Sequence, residues 1–166
     1  MATVPLKNAD FAMDPPPGRT CPAHWGCSMH ADPSSFRFSV DTDPRSKVRS
    51  LRIERIKNEP WAIASQTIQV GALAGQRVRL TVAVHAEQVE GKGAGPILII
   101  QGVGGHTIAD AQQLLPRTPG WQQVSVELDV VAGAQAVEIG LLLEGGGVVR
   151  FDDVRLEVLG AAPPKQ

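Results

Sequence analysis

The stretch that decides the fold is GGGVVRFDDVRLEVL at residues 145–159, where the alternation of apolar and polar residues changes phase. Phe151 belongs to one two-residue period, whereas Val154 and Leu156 belong to the other. Because successive side chains of a strand point to opposite faces of a sheet, this change requires one extra residue, which a β-bulge supplies. The sequence therefore predicts a long strand that is bulged at Asp152–Asp153.

Similar short alternating segments recur along most of the chain and are separated by turns rich in Gly, Pro and Asp. The clearest is RVRLTVAVH at 77–85, where branched apolar residues alternate with polar or small ones. The pattern predicts about eight strands in all. They comprise 36–40, 48–56, 62–70, 77–85, 96–102, 123–130, 136–144 and the final stretch.

Helical periodicity is nearly absent, so the predicted fold class is all-β. Long connections at 86–95 and 103–120 favour an antiparallel two-sheet jelly-roll β-sandwich over a simple meander. The one predicted helical turn is TIADAQQLL at 107–115, which Thr107 would cap and Pro116 would end.

The composition indicates a single domain over 1–166, since 166 residues with 43% apolar content can form one core. We expect an extended N-terminal arm at 1–33 packed on the sandwich, strands at 34–159 and a tail at 160–166. The net charge of −1 provides no basic field, so we do not expect a nucleic-acid partner. No apolar run is long enough for a membrane span, and the start does not resemble a signal sequence, which predicts a soluble, cytoplasmic protein.

The segment CPAHWGCSMH places Cys21, His24, Cys27 and His30 at three-residue intervals. Two cysteines and two histidines could bind zinc, but the spacing lacks the long separation with which zinc fingers surround their metal. The favoured interpretation is an irregular loop whose Trp25 packs on the sandwich. The redox state of the two cysteines stays open, since they could also pair as a disulfide.

Six landmarks in fixed order carry a resemblance to a known superfamily. They are LKNADF near the start, PAHW at 22–25, VRSLRIE at 48–54, ASQTIQVGALAGQRVRLTVAV at 64–84, PGWQQVSVELDV at 119–130 and AVEIGLLLEGGGVVRFDDVRLEV at 136–158. Together they resemble the carbohydrate-binding-module-like domains of the galactose-binding jelly-roll superfamily. That superfamily includes sugar binders, protein-interaction modules and a few calcium-dependent cyclases, so the resemblance implies the fold and leaves the function to the site.

The resemblance also implies a structural calcium ion. In similar modules a carboxylate of the last strand meets the N-terminal segment at a calcium site, and here that carboxylate would be Asp153. Ala12 stands where those modules usually carry an acidic residue, so Asp10, Asp14 or backbone carbonyls would have to replace it. The alternative is that Asp152 and Asp153 accept hydrogen bonds from the backbone or pair with neighbouring arginines.

The leading hypothesis is a non-catalytic module that binds a carbohydrate or another small ligand on a concave sheet face. Alternation places Arg79, Thr81 and His85 on one polar face. In the resembling modules Trp25 and Trp121 match packing positions, which leaves Trp61 as the free aromatic platform. The predicted ligand contacts are Trp61, Gln66, Arg79, Thr81, His85, Gln101 and His106.

Two alternatives remain. A small cyclase or isomerase would use the same groove, with His85, Glu87 or Asp110 transferring protons. No nucleophile elbow, phosphate loop or zincin motif is present to support another enzyme class. A protein-interaction scaffold would instead use a flat sheet face, for example to form a homodimer.

Overall fold

The computed structural model describes residues 2–102 and 107–163, and this part of the chain contains nine strands and one short 3-10 turn, Gly71–Leu73. The strands are β1 (Ala2–Val4), β2 (Gly26–Met29), β3 (Phe36–Thr42), β4 (Arg49–Arg55), β5 (Trp61–Gln69), β6 (Gln76–Gln101), β7 (Thr107–Gln112), β8 (Gln122–Asp129) and β9 (Ala136–Ala161).

Two strands of 26 residues each, β6 and β9, form an antiparallel ribbon along nearly their whole length. The pairing runs from Gln76 opposite Ala161 to Gln101 opposite Ala136. Register shifts at 87–93 interrupt the ladder near its middle. These irregularities bend the ribbon, so its two halves lie in different layers of the fold.

Each half of the ribbon recruits its own strands. The first layer contains β8, the first half of β6, the second half of β9, β4 and β3, with β1 beside the end of β9. The second layer contains β7, the second half of β6, the first half of β9, β5 and β2. The hydrogen bonding is continuous around the corner, so the two layers are one folded sheet.

The core lies between the two layers. Val78 and Leu80 from the first layer are fully buried, as are Leu98 and Leu141 from the second, and all of them belong to one apolar cluster. The predicted all-β, antiparallel sandwich is confirmed, because alternation places one side chain of every two in this core.

The predicted bulge in β9 is also confirmed. Thr81 pairs with Arg155 and Ala83 pairs with Asp152, so β9 contains one more residue than β6 between the two pairs. Asp153 has a φ of 52°, in the left-handed region. This extra residue lets the apolar residues on both sides of it reach the core.

The helical turn predicted at 107–115 is wrong, because this segment contains the strand β7. Its residues pair antiparallel with β6, from Gln101 opposite Thr107 to Ile97 opposite Gln112. An isolated helix of this length has little stability in water. Pairing of this segment with β6 instead satisfies the backbone N–H and C=O groups along the edge of that apolar strand.

The N-terminal arm is attached to both layers, through β1 beside β9 and β2 beside β5. Trp25 is buried as predicted, with its ring centroid 5.5 Å from that of Phe11 and its indole N–H donating to the Asn8 carbonyl at 3.0 Å. A disulfide joins Cys21 and Cys27 next to this tryptophan.

We predict that Gly145→Ala unfolds the corner of the ribbon. Gly145 has a φ of 136°, and a Cβ there would collide with the carbonyl oxygen of Glu90 on β6. Strain and overpacking together should lower the free energy of unfolding by about 3 kcal/mol or more, measured by urea denaturation.

The matched control is Gly133→Ala, where a Cβ would meet nothing within 4 Å. This change should alter stability by less than about 1 kcal/mol. Equal stability of the two variants would contradict the role of the corner.

Candidate ligand-binding site

A cleft of 640 Å³ lies on the outer face of the first layer. Its floor is built from neighbouring strands, since Arg52 on β4 pairs with Arg150 on β9, which pairs in turn with His85 on β6. Asp43 and Trp121 line its rim. The cleft therefore gathers charged, polar and aromatic side chains over one face of the sheet.

Both arginines of the floor are held by carboxylates on the same face. Arg150 donates to Asp41, and Arg52 donates to Glu54 at 3.2 Å. The side chain of Arg150 is only 13% exposed. Because like charges on directly opposed residues repel, these ion pairs help keep the two guanidinium groups side by side.

Trp121 forms a wall of the cleft beside His85, with ring centroids 5.7 Å apart and planes inclined by 48°. The preceding segment is latched to β6 through two hydrogen bonds. The Thr118 N–H donates to the Ala86 carbonyl at 3.1 Å, and the Ala86 N–H donates to the Thr118 hydroxyl at 3.0 Å. This latch places the half-buried indole next to the imidazole.

Four buried side-chain atoms within the described residues have no hydrogen-bond partner: Ser50 Oγ, His85 Nδ1, Trp121 Nε1 and Asp152 Oδ1. All four residues belong to the outer side of the first layer. Asp152 is opposite Ala83, two residues before His85, and Ser50 precedes the residue of β4 that pairs with Phe151. An unpaired buried polar atom costs about 1–3 kcal/mol, and a water or a ligand that reached such an atom would recover this cost.

The two aspartates near the cleft have opposite pKa shifts. Burial is the main cause that raises the pKa of Asp152 to about 6, and the charges of Asp153 and Asp10 add to this shift. The hydrogen bond from the backbone N–H of Asp153 acts in the opposite direction. The pKa of Asp43 is lowered, first by the backbone N–H of Arg45, against the effect of burial. Asp43 is therefore an ionised acceptor at the rim, whereas Asp152 can carry a proton near neutral pH.

Of the predicted contacts, His85 lies in the cleft, and its Nε2 is 3.6 Å from the Glu87 carboxylate, which also lines it. Arg79 and Thr81 lie on the same face further along β6 and do not line the cleft. Arg79 is 3.7 Å from Glu157, and the Thr81 hydroxyl is 2.8 Å from that of Ser125.

The other predicted residues are placed elsewhere. Trp61, Gln101 and Asp110 belong to the second layer, on the opposite side of the molecule. Gln66 binds the arm, since its amide oxygen accepts from the Lys7 N–H at 3.2 Å and its amide nitrogen donates to the Lys7 carbonyl at 3.0 Å. His106 lies outside the described residues.

Sequence reasoning missed most residues of the cleft, among them Asp43, Arg52, Trp121 and Arg150. The resemblance implies a packing role for Trp121, whereas the structure places its half-buried ring in the wall of the cleft. The arginines occupy the polar phase of β4 and β9, which alternation alone could have placed outside. Their convergence could not be predicted, because it depends on which strands are neighbours.

The outer face of the second layer carries a small apolar cluster whose three central side chains are buried. Ile63, Ile97 and Leu142 pack together there, with Trp61 beside them. The homodimer hypothesis would need a face of this kind, and it stays a prediction.

The residues proposed for metals have other contacts. The disulfide occupies the sulfurs of Cys21 and Cys27, which could act as zinc ligands only as free thiolates. Asp153 is 3.6 Å from Arg155, and Asp10 accepts the N–H of Ala12. Within residues 2–102 and 107–163, no group of three or more His, Cys, Asp or Glu is arranged to hold an ion. The calcium site at Asp153 stays a prediction.

Solved structures share this fold at low sequence identity. The CBM22-1 xylan-binding domain of Paenibacillus barcinonensis Xyn10C has a TM-score of 0.60 and 13% identity, over 93% of this chain and 94% of that one. TmCBM61, solved with β-1,4-galactotriose, has a TM-score of 0.55 and 16% identity, over 92% and 97%. The enzymatically active domain of tailspike protein 4 from bacteriophage CBA120 has a TM-score of 0.65 and 14% identity over 82% of this chain, which spans only 20% of that solved chain.

No family model and no curated protein matches the chain. The structural matches establish the fold, so the protein has the jelly-roll sandwich fold that these solved structures share, and the predicted jelly roll is confirmed. In the described part of the chain, no helix is long and apolar enough to cross a membrane.

We predict that Asp152→Asn stabilises the protein at alkaline pH. The raised pKa means that the native state binds this proton more tightly than the unfolded state, whose carboxyl has the ordinary value of 3.8. In the wild type, the contribution of Asp152 to the free energy of unfolding therefore becomes more favourable as pH falls through about 6. Because solvent screens this half-buried group, the variant should gain roughly 1 kcal/mol at about pH 8 and less at about pH 5, in urea denaturation.

Asp110→Asn serves as the control, since Asp110 is exposed on the second layer. Because its carboxylate is exposed to solvent, this change should alter stability at alkaline pH much less than Asp152→Asn does. A pH-independent effect of Asp152→Asn would contradict the assignment.

Proposed function

We propose that this protein is a non-catalytic binding module that holds a carbohydrate in the cleft beside His85 and Trp121. The observation that carries the proposal is that two residues lining this cleft, His85 and Trp121, each have a buried polar atom without a hydrogen-bond partner in the described part of the chain. Sugar hydroxyls both donate and accept hydrogen bonds, so a bound sugar can satisfy the indole N–H of Trp121 and the imidazole nitrogen of His85 alike.

The remaining chemistry of the cleft fits the same ligand class. The Trp121 ring offers an apolar plane for a sugar face, and the guanidinium groups of Arg52 and Arg150 are already held in place. Asp43 is an ionised acceptor. A few polar groups in fixed positions around an apolar surface are typical of small-ligand sites. The neighbouring structures named for xylan and galactotriose support this class of ligand.

Binding is favoured over acid–base catalysis by the placement of the titratable groups. His85 and Glu87 meet, but the Glu87 side chain is 61% exposed. Asp110, the third residue of the enzyme hypothesis, lies on the opposite layer. A proton-transfer site works best where its members lie together and water is excluded from them.

We predict that Trp121→Ala weakens binding to polysaccharide by at least about tenfold, because the aromatic wall of the cleft is lost. His85→Ala should weaken it in the same direction. The measurement is affinity electrophoresis in gels that contain xylan, β-glucan, galactan or mannan, with melting curves to verify folding.

Trp61→Ala is the matched control, since it removes a tryptophan from the second layer and should leave retention unchanged. The opposite result, in which Trp61→Ala abolishes retention and Trp121→Ala does not, would move the site to the other face. Turnover of any of these polysaccharides would contradict a non-catalytic module.

We also propose that the protein works in an oxidising compartment, in contrast to the cytoplasmic location expected from its first residues. The disulfide between Cys21 and Cys27 supports this, because disulfides are rare where thiols are kept reduced. Denatured protein isolated from its source without reductant should contain no free thiol. Two free thiols per chain would favour the cytoplasmic location.

A further inference from the structure

A second cleft, of 810 Å³, adjoins the first at the corner of the β6–β9 ribbon. Glu87 and Val148 line both clefts. The two therefore form one groove that runs from the sheet face to the corner, and a ligand in the first cleft can extend into the second.

The corner cleft contains an arginine with unused donors. The Arg55 side chain is only 20% exposed, and its Nη1 donates to the Glu59 carbonyl at 3.3 Å. Its Nη2 is 3.8 Å from the carboxylate of Glu90, whose side chain is 84% exposed. A guanidinium has five N–H donors, so most of those on Arg55 lack a close acceptor within the described residues.

A glycine makes room for this guanidinium. A Cβ on Gly146 would collide with the guanidinium nitrogens of Arg55. The planar group therefore lies against bare backbone of β9, and its position is restricted. Such a restricted fork suits two-pronged recognition of a planar anion.

Further positive charge surrounds the same cleft. Arg117 lines it, and within the described residues its side chain makes no hydrogen bond or ion pair. Lys57 also lines it and is 3.7 Å from Asp32. The acids of this cleft, Glu87 and Glu90, are mostly exposed to solvent. The corner thus presents three cations whose neutralisation within the described residues is incomplete.

We propose that the corner cleft is a subsite for the carboxylate of an acidic sugar residue, a uronate, within the glycan that the first cleft holds. Arg55 would receive the carboxylate through its fork, and Arg117 would approach from the exposed side. This inference rests on the proposed function and narrows its ligand class to acidic polysaccharides.

The test compares acidic polysaccharides with neutral forms of the same backbone. Glucuronoxylan, polygalacturonate and alginate are each set in affinity gels beside their carboxyl-reduced forms. Wild-type protein should be retained at least about fivefold more strongly by at least one acidic form, and added salt should reduce the difference.

Two single-charge variants locate the effect. Arg117→Gln should lose most of the preference for the acidic form. Arg19→Gln removes the same charge from an exposed position on the N-terminal arm, outside both clefts, and should keep the preference. Arg55→Gln should behave like Arg117→Gln if its melting curve matches that of wild type.

The outcomes separate the two proposals. Equal retention of acidic and reduced forms that still depends on Trp121 would overturn the corner subsite and leave the binding module standing. An acidic preference that survives in Arg117→Gln would also overturn the subsite. Failure of every polysaccharide, acidic or neutral, to retain the protein would overturn both proposals.

Discussion

The structure depends on the ladder between β6 and β9, which remains paired while it turns a corner. Both layers are assembled on this ribbon, and both clefts lie along it. The turn is sterically permitted because Gly145 has no side chain where it meets the carbonyl of Glu90. A sheet that folds over in this way buries one face of each half in a common core and leaves the other faces to solvent.

The same ribbon also determines the polarity of the candidate site. The bulge at Asp153 restores apolar residues to the core beyond it, and it leaves Asp152 on the outer side with an unpaired oxygen. Arg150 lies two residues before Asp152 on β9, and His85 on β6 pairs with Arg150. Burial of these polar groups costs stability when they lack hydrogen-bond partners.

The two outer faces of the sandwich differ in chemistry. The first layer presents arginines, carboxylates and an indole around a cleft, whereas the second carries the small apolar cluster centred on Ile63, Ile97 and Leu142. Polar recognition of a hydroxylated ligand suits the first face. This difference is why Trp121, rather than Trp61, is the aromatic residue on which the proposed function rests.

Local pattern alone determined most of the strands, the bulge at Asp152–Asp153 and the inward side chains, because alternation and turn residues are properties of neighbouring positions. It placed His85 on an outer face for the same reason. Only the tertiary structure decided that Arg52, Arg150 and Trp121 surround His85, that Gln66 instead holds the arm, and that 107–112 forms a strand. Each of these depends on contacts between segments far apart in the chain. The apolar and polar pattern of one segment does not indicate which other segment it contacts.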